Sequence, residues 1–386
     1  MERHLPVGEA PAMTGRGAFT GALGIYTAGG LFWAFLPFFV GLQVSSGGMT
    51  QAQAGSLGSA YLVGFSLASL TGLWWVPKFD WRRLVGTAAA IIVLCLFTLA
   101  GTDSYSVSIG SVFGIGLMMG GFWTIAYRIF GASANPDRSF AIGIVVAYTV
   151  LALVSYVVGQ FIVPDHGLRG SAYLLSAVIV VLGFSALLVP SGSGEDAEEA
   201  AAISYRPPLR VALALLGILA TGFAFAAVWA FAERIGVAAG FDSSRISPVV
   251  ASNLLASAAG SVIAMVLGTR FGRRWTLLAG MALMVAAILS LSWSETYSLY
   301  AIGIVGLGFT VGFVLPYQMG TLAALDTEGR FVVLITAAQG IGSAAGPALG
   351  GAAVDAGGLR SLLIAAAVAL VLGAFLFLSI STDEEL

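Results

Sequence analysis

Apolar residues do not alternate with polar ones along this chain; they gather in runs of about twenty or more, divided by short polar breaks. Twelve such runs lie near residues 18–42, 53–76, 84–101, 105–127, 139–163, 171–190, 211–232, 247–268, 275–293, 297–322, 331–354 and 361–380. At about 1.5 Å of rise per residue, each run matches a hydrocarbon core of about 30 Å, so the pattern predicts twelve membrane-spanning helices. The glycines within the runs point to closely packed helices. Pro37 and Pro316 are tolerable there because neighbouring helices satisfy the backbone groups that a proline frees.

Composition agrees. Hydrophobic residues make up 58% of the 386 and mean hydropathy is +0.96, while charged residues are 9%, against roughly 25% in soluble domains. The fold class expected is an all-α polytopic membrane protein. A net charge of −2 leaves no basic footprint for nucleic acid, and the single Cys95 has no disulfide partner in the chain. The first run is too long for the core of a signal peptide and reads as a retained span. Of the 17 Lys and Arg residues, all but Arg169, Arg234, Arg245 and Arg360 fall on one side of the predicted topology. By the positive-inside rule this expects both termini in the cytoplasm and the Asp165–Arg169 loop outside. The Arg-rich, Lys-poor, Ala/Gly-rich usage is associated with GC-rich bacteria, and the expected location is a bacterial cytoplasmic membrane.

The chain also repeats itself. Arg82-Arg83 and Arg273-Arg274 are 191 residues apart, as are Gly159 and Gly350, and Leu168-Arg169 and Leu359-Arg360. Two halves with an even number of helices each point the same way, which predicts parallel six-helix pseudo-repeats. The expected units are residues 1–190 and 209–386. Residues 191–208, with the acidic run Glu195 to Glu199, form a flexible cytoplasmic linker between them.

Twelve helices in two parallel halves about a central polar linker resemble the Major Facilitator Superfamily of secondary transporters. Local support comes from "RFGRRWTLL" at Arg270 to Leu278, similar to the family's basic loop after the second helix of a half, and from "GSAAGPALGG" at Gly342 to Gly351. The chain departs from the family pattern by having Thr269 where an Asp usually precedes the basic cluster. Its Gly-Pro stretch lies on the eleventh helix, whereas the family's drug antiporters carry it on the fifth, and it reads first as small residues for close helix approach.

The resemblance implies a substrate cavity between the halves, lined by the first, fourth, seventh and tenth helices. Each carries aromatic residues at helical spacing. The candidate substrate-binding residues are Tyr26 and Trp33, Trp123 and Tyr127, Trp229, and Tyr317, with Tyr148, Asn253 and Gln339 as polar additions. Aromatic stripes also serve plain packing. Glu233 and Arg234 end the seventh run at the outer interface, where they read either as a snorkelling helix terminus or as an outer gate or proton-coupling site. Lys78, Arg82, Arg83, Arg270, Arg273 and Arg274 read either as topology anchors or as a cytoplasmic gate.

No carboxylate, histidine or lysine falls at a predicted mid-bilayer position, and no HExxH, GxSxG or phosphate-loop motif is present. An enzyme, a metal site and a cofactor are therefore not expected. The expected activity is secondary active or facilitative transport of a small, partly apolar organic solute by alternating access. The alternatives are a proton-driven exporter of lipophilic compounds and, outside transport, a nontransporting sensor. The expected partners are the solute, the lipid bilayer and, for coupled transport, protons, with the chain acting as a monomer.

Overall fold

The computed structural model describes residues 15–133, 135–189, 207–326, 331 and 334–380. Nearly all of these are helical. The first half holds α1 (Arg16–Ser45), α2 (Gln51–Leu70), the short α3 (Gly72–Trp75), α4 (Trp81–Gly101), α5 (Tyr105–Gly131), α6 (Pro136–Val157) and α7 (Val163–Gly183). The second holds α8 (Leu209–Ala230), the short α9 (Ala232–Ala238), α10 (Ser243–Leu267), α11 (Arg273–Ser290), α12 (Tyr297–Leu325), α13 (Leu334–Gly357) and α14 (Leu359–Ser379). Residues 191–206 of the expected linker lie outside the described residues.

Nine described segments are long and apolar enough, by length and composition, to cross a membrane. One of them, Arg138–Leu188, is two spans run together: α6 continues through a π turn (Val158–Ile162) into α7, and the chain reverses at Gly167, whose φ of 54° only glycine adopts readily. The break expected as a loop at Asp165 to Arg169 is thus a kinked helical turn. The two remaining spans, α2 and α13, are too rich in Gly, Ser and Gln to count as lipid-facing. They pack against each other across the two halves, so they need less apolar surface than helices that meet lipid.

Halves related by 191 residues have matching elements, and the match extends to the first two helices: α1 corresponds to α8 plus α9, and α2 to α10. The counterparts differ in continuity. Where α10 runs unbroken to Leu267, the first half breaks at Thr71 and resumes as α3. Where α1 is one helix, its partner breaks at Phe231 (φ −103°, ψ 10°).

Three seams join the halves: α2 with α13, α6 and the π turn with α10, and α1 with α8 and α9. The α2–α13 seam is the tightest kind, backbone on backbone. A Cβ on Gly55 would strike the Pro347 carbonyl, and one on Gly351 the Gln51 carbonyl.

Candidate functional site

Aromatic side chains form a column along α1. Nearest the end of the bundle that carries the basic turns, Tyr26 packs on Trp123 (4.8 Å between ring centroids) and Tyr127 (5.6 Å), and Trp123 packs on Phe65 (5.2 Å). The Trp123 indole donates to the Tyr26 carbonyl oxygen at 3.0 Å, which fixes α5 against α1. Two turns further along α1, Trp33 meets Phe225 and Trp229 of α8 at 5.9 and 6.0 Å. Here the Trp229 indole donates to the Trp33 carbonyl at 3.1 Å, a bond between the halves.

Exposure in this column is greatest at Tyr127, which is 42% exposed although Tyr26, Trp123 and Phe140 surround it; Trp33 and Trp123 are half-buried, and Tyr26 and Trp229 are buried.

Tyr148 of α6 joins the first group, lying close to Tyr26 and Tyr127 and facing Ser257 of α10 across the halves. The other sequence candidates sit elsewhere. Asn253 is buried, and its amide donates to the Ile304 carbonyl at 2.6 Å, tying α10 to α12. The Tyr317 hydroxyl donates to the Gly268 and Ala264 carbonyls, at 2.9 and 3.3 Å, at the end of α10. Gln339 is half-buried on α13, its backbone carbonyl beside Gly222 of α8.

Sequence reasoning passed over Gln318 of α12. It is fully buried; its Nε2 donates to the Thr221 hydroxyl of α8 at 2.7 Å, and its Oε1 is buried with no partner among the described residues. A polar amide inside an apolar run was the available signal.

Beyond Trp229 the bundle is sealed. Phe231 and Ala232 are fully buried, and Glu233, on α9 past the end of the Leu209–Ala230 span, lays its carboxylate on Gly41 of α1. Burial raises the Glu233 pKa from its ordinary value to about 7, while the neighbouring Arg234 guanidinium opposes the shift. Glu233 Oε2 and Arg234 Nε are both buried without a hydrogen-bond partner among the described residues. From α12, the nearby Tyr300 hydroxyl donates to the Ala232 carbonyl at 3.1 Å.

The same face carries a bond that sequence reasoning missed. Asp355, at the end of α13, accepts from Gln51 N at 3.1 Å and Ala52 N at 2.9 Å, the first two amides of α2. Thr50 and Gln53 complete the cap with a reciprocal pair of bonds. An acid in a polar loop carries no sequence signal for such a contact.

At the opposite end, Arg82 donates to the Val189 carbonyl (3.1 Å from Nη2) and Arg274 to the Leu378 carbonyl (2.6 Å), so each arginine holds the last carbonyls of the sixth span in its own half. The Arg273 side chain lies by Gly320 of α12. Lys78, Arg83 and Arg270 are exposed in their turns, with Arg83 N capped by Asp80 at 2.8 Å.

Residues 214–385 match the family model described as Major Facilitator Superfamily. No protein of curated function matches the sequence. A structure of a point mutant of the nucleoside transporter NupG has a TM-score of 0.76 at 12% identity, covering 95% of this chain and 100% of its own. Another NupG structure gives 0.72 at 14%, covering 95% and 99%. The human organic anion transporter MFSD10 (TETRAN) gives 0.64 at 16%, covering 94% and 99%. At these identities the likeness is one of fold.

Proposed function

We propose that this chain, a member of the Major Facilitator Superfamily by its fold and by the match of its second half, carries a small, partly apolar organic solute across a bacterial cytoplasmic membrane by alternating access. The observation that carries the reading is the aromatic column, open at Tyr127 and plugged at Trp229. A vestibule walled by Trp and Tyr, with hydroxyl and indole groups at its edge, suits a planar ring bearing a few hydrogen-bonding groups. Tyr26, Trp33, Trp123, Tyr127 and Tyr148 are the residues proposed to meet it. Because fold neighbours are a nucleoside transporter and an organic anion transporter, nucleosides and aromatic carboxylates are the first solutes to test.

On this reading the basic turns face the cytoplasm and the present state is open inward. Asp355, Glu233 and the Trp33–Trp229 pair form the outer gate, and the arginines of the basic turns act when the inner side closes. Proteoliposomes loaded with buffer and offered labelled adenosine or benzoate should show saturable uptake of one of them, with Km raised at least tenfold by Trp123→Ala. An absence of saturable flux for either class, in protein that is folded and correctly inserted, overturns the substrate reading. Labelling in intact cells tests the sidedness: an external reagent should reach a cysteine at His166 and miss one at Lys78.

A second reading, coupling to protons and export of lipophilic compounds, is favoured by one observation, the carboxylate of Glu233 buried at the outer gate. A carboxylate that titrates near neutral pH and whose burial changes with the gate is able to exchange a proton with each cycle.

A further inference from the structure

The break at Thr71 has left a cavity of about 210 Å³ inside the first half, away from the aromatic column. Its walls come from α2, α4 and α5, with Ala68, Val85, Ala88, Leu117, Met118 and Phe122 among them, and Trp75 of α3 closes one side. The Trp75 indole donates to the Ala68 carbonyl at 3.0 Å, so the ring presents its apolar faces. Phe79, 52% exposed, also lines it, and Trp74, next to Trp75 in the chain, is 65% exposed. The adjoining turn carries Lys78, Arg82 and Arg83, all exposed, against the single carboxylate of Asp80, which already caps α4. Arg82 spends part of its guanidinium on the Val189 carbonyl; among the described residues Lys78 and Arg83 make no side-chain bond of that kind.

An apolar slot at the end of a membrane span, rimmed by aromatic residues and topped by cations, has two chemistries in fixed order. The slot takes hydrocarbon, and the rim takes negative charge at headgroup level. We propose that this groove is a site for an anionic phospholipid, with one acyl chain between α2, α4 and α5 and the phosphate at Lys78 and Arg83. The second half has no such break: α10 runs unbroken to Leu267 and is followed by a tight turn with Gly268 and Gly272 at positive φ. The site thus belongs to one half alone. It stands whether or not the transport reading holds, because its test reads lipid binding and not flux.

Native mass spectrometry of the full-length protein, released from detergent with equimolar dioleoyl phosphatidylglycerol and dioleoyl phosphatidylcholine, tests the proposal. Phosphatidylglycerol should be retained preferentially by at least fivefold, and should raise Tm where phosphatidylcholine does not. Lys78→Gln with Arg83→Gln should bring the two lipids level, since it removes charge from exposed positions without touching the packing. Gly121→Leu should reduce retention of both: Gly121 lines the groove, and a Cβ there meets only Trp75 carbons at 3.8 Å, so the larger side chain fills the slot. Equal retention of the two lipids by the native protein overturns the proposal. So does a phosphatidylglycerol preference that survives the double charge variant, which needs no repacking and decides the matter even where Gly121→Leu does not fold.

Discussion

Two seams of this molecule are counterparts by the internal repeat and are built differently. Along α2–α13, backbones touch through Gly55, Gly351 and Pro347, and the N-terminus of α2 is capped by Asp355 from the other half. Along α6–α10, contact runs through side chains: Gly159 of the π turn faces the Ser247 hydroxyl of α10, with the Phe38 ring of α1 beside it. The N-terminus of α10 there is capped by its own Asp242, which accepts from Arg245 N at 3.1 Å and from the Ser244 hydroxyl at 2.7 Å. Those bonds hold the Asp242 carboxyl below the usual range. A self-capped helix keeps its cap whichever way the halves rock. A helix capped from across the seam loses two hydrogen bonds when that face opens. Opening of the sealed face is therefore penalised at α2–α13 and not at α6–α10.

The largest effect should come from bulk placed in the tighter seam. Gly351→Leu drives a side chain into the Gln51 carbonyl and should cost well over 1–3 kcal/mol, seen as loss of monodisperse protein or a Tm drop of many degrees. Gly159→Ala crowds the buried Phe38 ring and the Ser247 hydroxyl, side chains that can shift where a backbone carbonyl cannot, and should cost less than Gly351→Leu and leave the protein folded. Equal damage from both would abolish the distinction between the seams.

Next in size is Glu233→Gln at the third seam. A carboxyl whose folded pKa is raised above its unfolded value binds more protons when folded, so native stability should fall as pH rises from about 4.5 through 7. The glutamine variant should flatten that dependence. If Glu233 also couples transport, accumulation driven by a pH gradient should disappear while downhill exchange persists; equal retention of both would leave it a packing residue.

Removing the cross-seam cap should be gentler. Asp355→Ala costs about 0.5–2 kcal/mol, as capping losses do, but only in the state closed at that face. It should shift the equilibrium toward opening there by roughly two- to thirty-fold, read as a longer distance between spin labels at Ser46 and Gly357. Asp242→Ala loses a similar amount of stability in every state and should leave the distance distribution unchanged. Identical distributions for the two variants would remove Asp355 from the gate.

The smallest effect is expected at the basic face. Arg274→Gln gives up a bond to the Leu378 carbonyl at a partly exposed helix end, worth about 1 kcal/mol or less, and should slow transport with little change in solute affinity. Loss of affinity in step with rate would move Arg274 from gate to binding site.

Much of the architecture could be read before any coordinates. Run lengths located all twelve spans, α2 and α13 included, and the seventh span ends at Ala230, before Glu233. The Gly-Pro stretch was legible as a close-approach surface, and Pro347 and Gly351 do lie on α2. The partners were not legible. Aromatic spacing suggested Tyr26, Trp123 and Tyr317 alike, yet Tyr26 and Trp123 meet in the aromatic column while Tyr317 is spent on carbonyls at the end of α10. Spacing fixes the face of a helix a residue occupies and says nothing of what that face meets.

Gly159 and Gly350 show where the division falls. Both are marked by the same 191-residue offset, and their shared identity was visible at once. One sits between the Phe38 ring of its own half and Ser247 of the other, and the other packs wholly within its own half, on Leu362 and Ala227. Apolar run length and repeat offset are one-dimensional quantities, so the sequence by itself determined the number of spans and their grouping into two like halves. Which amides meet Asp355, which glycine receives Glu233, and which tryptophan bonds the Trp33 carbonyl depend on how one half is rotated against the other. Those contacts join residues from nearly 200 to more than 300 positions apart, and only the packed bundle decided them.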